Sequence, residues 1–84
     1  MIRILLTTNK GLISGQYKGG GYLDISYGNE WNPTEAVNVY EYASVDEPVE
    51  RQPEIVLRSM VQWLNENSVQ LQITNIYITN TFVL

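Results

Sequence analysis

The segment that most constrains the fold is residues 53–67, PEIVLRSMVQWLNEN, because its pattern is that of an amphipathic helix. Apolar side chains recur at helical spacing and form one stripe, made of Val56, Leu57, Met60, Val61, Trp63 and Leu64. The other side is expected to face solvent and carries Arg58, Ser59, Gln62, Asn65 and Glu66. Proline suits the first turn, and Glu54 there is expected to pair with Arg58 four residues later. One helix with one apolar side is expected to pack on a sheet.

The other segments alternate apolar and polar residues with the period of two that indicates strands. Strands are predicted at residues 2–7, 12–17, 22–27 and 36–43, and a further strand-like segment covers 69–84. A chain of 84 residues supports a single core, so we expect one domain, residues 1–84. The predicted fold is α+β, an antiparallel sheet of four to five strands with one amphipathic helix packed on one face, in the order β-β-β-β-α-β.

The C-terminal segment carries two further predictions. Its alternation slips at Thr74-Asn75, which indicates either a β-bulge or a turn, and we prefer the bulge because a two-residue hairpin turn favours glycine. No residue after Glu66 is charged. An uncharged strand without a protecting lysine is expected to be central in the sheet or to pair with another chain, as in a homodimer formed through this strand.

The triple glycine at residues 19–21 raises the question of a phosphate-binding loop. Such a loop places its glycines at the start of a helix and follows them with Lys-Ser or Lys-Thr. Here the alternating run of residues 22–27 follows, and it contains Asp24. Because glycine adopts positive φ without penalty, the motif indicates a tight or bulged hairpin, with phosphate binding a distant alternative.

The chain contains no cysteine and no histidine. Thiolate nucleophiles, serine–histidine relays, imidazole bases and zinc sites with these ligands are therefore excluded. Carboxylate pairs such as Asp24 with Glu30 or Glu41 suit acid–base work, but a small single-sheet domain rarely encloses a substrate cleft. We expect no catalytic residues, no metal site and no cofactor. With no signal peptide and no membrane-spanning run, a cytoplasmic location is expected.

Acidic residues are concentrated in one part of the sequence. The net charge is −4, and residues 19–50 contain seven carboxylates and no lysine or arginine. Such a segment repels a phosphate backbone and attracts a basic partner, so direct nucleic-acid binding is not expected. A solvated acidic surface that keeps a small domain in solution is the plain alternative.

Tyrosines and tryptophans are interspersed with these acids, in YLDISYGNEW and VYEYASVDE. Rings of this kind are enriched in protein interfaces, and with carboxylates they bind arginine and lysine through cation–π contacts and ion pairs. The predicted partner-binding residues are Tyr22, Asp24, Tyr27, Glu30, Trp31, Glu35, Tyr40, Glu41, Tyr42, Asp46 and Glu47.

In size, charge and architecture the chain resembles the small anti-defence inhibitors of phages and mobile elements, of the anti-CRISPR type. The resemblance implies a stoichiometric, non-enzymatic inhibitor whose acidic face occupies the basic surface of a host protein or ribonucleoprotein complex. In a phage-encoded protein the location is the host cell cytoplasm. Two alternatives stay open: a structural or oligomerising phage or plasmid accessory protein, and a small enzyme that uses Asp or Glu.

Overall fold

Five strands and one α-helix make up the computed structural model, which describes residues 1–28, 35–44, 46–47 and 53–80. The strands are β1 Ile2–Thr8, β2 Gly11–Tyr17, β3 Tyr22–Tyr27, β4 Glu35–Asn38 and β5 Ile73–Asn80. A 3₁₀ turn, Val39–Glu41, follows β4, and the helix α1 covers Pro53–Asn67. The predicted α+β fold, its element order and the helix bounds are confirmed. The Gly, Asn and Pro content of residues 28–36 predicts a loop, and the polar, proline-broken residues 44–52 predict a linker; both segments lie mainly outside the described residues.

The strands form one antiparallel sheet in the order β4-β3-β2-β1-β5. Tight turns join β1 to β2 and β2 to β3, so the first three strands pair with their sequence neighbours. Alternation gives the sheet two different faces. The covered face packs under α1 and includes the fully buried Ile4, Leu6 and Ile25, whereas the open face carries the exposed Arg3 and Thr7.

The helix approaches the covered face closely at Gly15 in β2, because glycine has no side chain there. A Cβ atom built on Gly15 would be 2.9 Å from Met60 Sδ, so the glycine leaves the space that Met60 fills. Ser59 is fully buried, which corrects the expectation that it faces solvent. Its hydroxyl donates to the Ile55 carbonyl at 2.8 Å, and this bond satisfies the polar group inside the core.

The fourth strand is shorter than predicted, since β4 ends at Asn38 and the expected strand extended to residue 43. Asn38 Oδ1 accepts a hydrogen bond from Tyr40 N at 3.1 Å and caps the 3₁₀ turn that begins at Val39. This local bond turns the chain in spite of the β-branched and aromatic composition. Tyr40 and Tyr42 therefore do not share one face of a strand.

The register shift that the predicted bulge requires is present, in a strand that begins at Ile73 and not at residue 69 as expected. Thr7 pairs with Asn75 and Thr8 with Ile73, so Thr74 is the extra residue, and its hydroxyl donates to the Thr7 carbonyl at 3.2 Å. The expectation of a central position is wrong, because β5 lies at the edge of the sheet beside β1. The strands β2, β3 and β4 follow one another on the other side of β1, which leaves only the free edge of β1 for the last strand.

Candidate functional site

The predicted acidic residues that the structure describes lie on β3, on β4 and on the segment that follows β4. Asp24 lies opposite Ala36 in the β3–β4 ladder, and Ile25 lies opposite Glu35. The carboxylates of Asp24 and Glu35 therefore project to opposite faces at the same edge. Glu41 and Asp46 are exposed on the segment that follows β4. We call Asp24, Glu35, Glu41 and Asp46 the acidic edge; the first two lie in the β3–β4 pair and the other two on the segment that follows it, so the acidic edge is not one flat surface.

Two exposed tyrosines accompany the acidic edge. Tyr22 is on the open face, opposite Asn38, and 58% of its surface is exposed. It shares this face of β3 with Asp24, two residues further along. Tyr40 is 53% exposed on the 3₁₀ turn. Each ring is thus accessible to a partner near a carboxylate.

The glycine hairpin supports the Tyr40 ring. Gly19, Gly20 and Gly21 all have positive φ, and this loop joins β2 to β3 as the sequence predicted. A Cβ atom at Gly21 would lie 2.5 Å from Tyr40 Cε2, so the ring rests directly against the glycine backbone. The Gly21 carbonyl also accepts a 2.8 Å hydrogen bond from Val39 N. The hairpin therefore positions the ring of Tyr40, one of the predicted anchors.

The hydroxyl of the buried Tyr17 also contacts this loop. Tyr17 is only 2% exposed, and its hydroxyl oxygen accepts a hydrogen bond from Gly21 N at 3.2 Å. Because Gly21 is itself buried, this bond satisfies a donor that water does not reach. The position of Tyr40 thus depends on contacts that extend into the core.

Tyr27 lies beside Glu35 at the other end of the edge. It is on the covered face of β3, next to the Ile25–Glu35 pair, and is 46% exposed. Partial burial raises the pKa of Tyr27 above its ordinary value, and the negative charge of Glu35 raises it further. The hydroxyl therefore stays protonated at neutral pH and is a hydrogen-bond donor beside a carboxylate.

Glu47 is bound within the chain. Both of its carboxylate oxygens accept hydrogen bonds from Arg58 Nη2, at 2.8 and 2.9 Å. Ser44 donates to Glu47 Oε1 through its backbone N–H and its hydroxyl. The bond from Arg58 is the largest cause of the lowered pKa of Glu47, which falls to about 2. In the described residues Arg58 thus pairs with Glu47, and not with the expected Glu54.

Tyr42 is likewise occupied by internal contacts. Its hydroxyl donates to Glu66 Oε2 at 2.9 Å, and its carbonyl accepts a 3.4 Å bond from Arg58 Nη2. Burial is the first cause of the raised pKa of Tyr42, followed by the hydrogen bond to Glu66 and by nearby carboxylates. Tyr42 and Glu47 therefore fasten the segment after the 3₁₀ turn to α1. The predicted Glu30 and Trp31 lie outside the described residues.

An exposed aromatic that the sequence analysis did not select is Tyr77, which is 62% exposed on the open face of β5. In the sequence ITNIYITN, strand alternation places Tyr77 on the face opposite to that of Ile76 and Ile78. This alternation is the sequence feature that could have identified Tyr77 as exposed. Beside it an open depression of about 230 Å³ lies between β1 and β5. The depression is lined by Arg3, Ile4, Leu5, Tyr77 and Thr79.

Within the described ranges, no three Asp or Glu side chains lie together in the way that a metal site requires. No helix in the described part of the chain has the length and apolar character needed to span a membrane.

Comparison of the chain with protein-family models, with curated proteins and with solved structures finds no match.

Proposed function

We propose that this chain is a non-enzymatic binding module that uses its acidic edge to occupy a basic surface on a partner protein. The observation that carries the proposal is the placement of Asp24 and Glu35 in the β3–β4 pair at one sheet edge, with Glu41 and Asp46 exposed on the segment that follows β4. The ion pair seen in the described residues joins Arg58 to Glu47, which is not part of the acidic edge. The charge of Arg58 is therefore used by Glu47 and does not neutralise the four carboxylates.

The tyrosines suit the same kind of partner. Tyr22 and Tyr40 are each more than half exposed, and Tyr22 shares the open face with Asp24. A guanidinium or ammonium group over a tyrosine ring gains roughly 0.5–1 kcal/mol at an exposed site. With a carboxylate nearby, the same cation also gains an ion pair. We therefore assign the anchoring role to Tyr22 and Tyr40, with Tyr27 beside Glu35.

Tyr42 and Glu47 are given no contact role in this proposal, because both are engaged with α1. Their role is to fix the segment that bears Glu41 and Asp46. Glu30 and Trp31 keep the contact role that the sequence predicts for them.

The proposed partner is a host defence complex that handles nucleic acid, in the cytoplasm of the host cell. Such complexes hold nucleic acid in channels lined with lysine and arginine, because neutralising phosphates is the main source of their affinity. An acidic protein competes for the same channel and is repelled by the nucleic acid itself. The proposed activity is therefore stoichiometric inhibition without turnover, as in inhibitors of the anti-CRISPR type.

The test adds the purified chain to a panel of purified CRISPR effector ribonucleoproteins and measures binding of target DNA by fluorescence anisotropy. We expect one effector to lose DNA binding at a one-to-one ratio of chain to complex. The variant Asp24→Asn/Glu35→Gln/Glu41→Gln is expected to require at least tenfold more protein for the same inhibition. That factor corresponds to about 1.4 kcal/mol of lost attraction over three charges.

A control with the same net charge separates local from overall electrostatics. Thr7, Asn65 and Gln72 are exposed and lie outside β3, β4 and the 3₁₀ turn. Changing all three to lysine raises the net charge by three, as the first variant does. This control is expected to inhibit like the wild type. Equal weakening of both variants, or full inhibition by the first one, would contradict the proposed surface, and no inhibition across the panel would reject the proposed partner class.

A further inference from the structure

The edge strand β5 has one side that no described strand covers. It pairs with β1 on its inner side only, at the end of the sheet order. Along such a strand, alternate N–H and C=O groups point away from the sheet and are ready to pair with another strand. β5 is eight residues long, and none of these residues is charged.

The opposite edge of the sheet is different. β4 has only four residues and begins with the exposed Glu35. It ends at Asn38 in the 3₁₀ turn, where the Val39 N–H is already used by the Gly21 carbonyl. A short strand with a charged residue is a common way to protect an edge from pairing. Of the two edges, β5 is the one suited to strand addition.

Three exposed apolar side chains lie on β5 or in the segment that leads into it. Ile76 is 46% exposed on the covered face, and Tyr77 is 62% exposed on the open face. Val69, in the segment that leads into β5, is 77% exposed. β-branched and aromatic side chains are those that gain most from cross-strand pairing. Both faces of the β5 edge therefore offer contacts to an added strand.

The charge distribution indicates which strand would be added. Two copies of a chain with net charge −4 repel each other wherever their acidic edges approach. In a pairing through β5 the repulsion between the Asp24 and Glu35 carboxylates of the two copies is weakest, since β5 is uncharged and β3 and β4 lie at the far side of the sheet. A two-fold axis perpendicular to the sheet joins two copies of one strand in antiparallel pairing. We propose that β5 pairs with β5 of a second copy and extends the sheet across a homodimer.

The pattern of side chains favours one register for this pairing. In an antiparallel pair, residues that lie opposite each other point to the same face, so the two-fold axis passes between two copies of one residue. With Tyr77 at the axis, Ile76 meets Ile78 of the second copy, and Asn75 meets Thr79. With Ile78 at the axis, Ile76 instead meets Asn80. The register at Tyr77 pairs apolar with apolar residues and polar with polar ones.

This arrangement closes at two copies. Each β5 edge is used once, and both outer edges of the combined sheet are then the short acidic β4 strands. Those edges resist further addition for the reasons given above. A dimer is therefore expected, and not a longer assembly. The dimer does not depend on the proposed inhibitor function, and the acidic edges remain accessible at its two ends.

The first test measures the molecular mass by sedimentation over about 1 μM to 1 mM of protein, the range of weak to moderate self-association. The wild type is expected to approach about 19 kDa, twice the 9.6 kDa of one chain. Tyr77→Lys places two ammonium groups at the axis and is expected to raise the dissociation constant at least tenfold. Tyr22→Lys is the matched control, since Tyr22 is 58% exposed on the same face but lies on β3; it is expected to leave the constant unchanged.

A second test uses the absence of cysteine from the chain, which makes single-cysteine variants free of background. On oxidation, Tyr77→Cys is expected to form a disulfide-linked dimer, because the two copies are adjacent at the axis. Thr7→Cys is the control: Thr7 lies on β1 opposite Asn75, so its two copies are separated by three strand spacings and by about four residues along the strands, which is about 20 Å. That separation exceeds the ~7 Å Cα–Cα limit for a disulfide.

The outcomes of these tests separate the dimer from the proposed inhibitor function. A monomer at every concentration overturns the proposal, as does a dimer that persists in Tyr77→Lys or that Tyr22→Lys disrupts equally. Cross-linking through Thr7→Cys and not through Tyr77→Cys also overturns it. The neutralised variant of Asp24, Glu35 and Glu41 is expected to dimerise at least as tightly as the wild type, whatever its effect on inhibition.

Discussion

The contact between Gly21 and the Tyr40 ring allows a prediction whose size follows from the structure. Gly20 and Gly21 both have positive φ, +78° and +89°. An alanine at either position costs about 1 kcal/mol or more in backbone strain. A Cβ atom added at Gly20 would have no neighbour within 4 Å. A Cβ atom added at Gly21 would lie 2.5 and 2.7 Å from two carbons of the Tyr40 ring. Gly20→Ala is therefore a matched control for Gly21→Ala.

The added Cβ atom at Gly21 must displace the ring or the loop, at a further cost of about 1–3 kcal/mol. We expect Gly21→Ala to lower the free energy of unfolding by about 2–4 kcal/mol, and Gly20→Ala by about 1 kcal/mol. Urea denaturation measures both, and an m-value of ~1 kcal/mol/M gives midpoint shifts of about 2–4 M and 1 M. In a Tyr40→Ala background the excess loss at Gly21 is expected to vanish. Equal losses at the two glycines, or an excess that survives without the Tyr40 ring, would refute the reasoning.

Three further predictions concern the core and the Glu47 ion pair. Tyr17→Phe leaves a buried backbone N–H without its acceptor and is expected to destabilise the fold by about 1–3 kcal/mol in urea denaturation; a neutral result would contradict that bond. Gly15→Ala brings a Cβ atom against the flexible end of Met60 and is expected to cost about 1 kcal/mol by the same measurement, whereas a gain in stability would show that space is available. Because the pKa of Glu47 falls from 4.5 unfolded to about 2 folded, the stability it contributes is present above pH 4.5 and is lost as the pH falls towards 2. The difference in melting temperature between the wild type and Glu47→Gln is expected to shrink over that window, and a difference that stays constant would exclude the ion pair with Arg58 as its cause.

Local patterns predicted most of the fold. The helix at 53–67 was identified because its proline start and its apolar stripe are both properties of neighbouring residues. The glycine hairpin and the bulge at Thr74 were identified for the same reason, as breaks in a period-two alternation. These features depend on the conformation of a few consecutive residues, which is the information that a single sequence carries most directly.

Features that depend on distant contacts were not predicted. The edge position of β5 follows from how all the other strands pair, and no residue within it specifies that order. The burial of Ser59 depends on its bond to the Ile55 carbonyl, which makes a polar side chain compatible with the core. The 3₁₀ turn at Val39 depends on the Asn38 side chain, whose single bond outweighs the strand propensity of the residues that follow.

The sequence predicted which types of residue form the candidate site, but not how they are arranged in space. Asp24 and Glu35 are both at the β4 edge, but on opposite faces, because strand alternation and register place them there. Glu47 was grouped with the contact residues on its charge alone, and its pairing with Arg58 arises from tertiary structure. Tyr77 has no acidic neighbours in the sequence, and its exposure follows from the position of β5 at the edge of the sheet, which depends on tertiary structure.

The central claim, that the acidic edge attracts cationic groups, is tested most directly by titrating the isotope-labelled chain with an oligoarginine peptide and recording amide chemical shifts. We expect the largest shifts in β3, β4 and the 3₁₀ turn, centred on Tyr22, Asp24, Glu35 and Tyr40, and weaker shifts at high salt. Shifts that spread evenly over the molecule, or that centre on β1 and β5, would contradict the account.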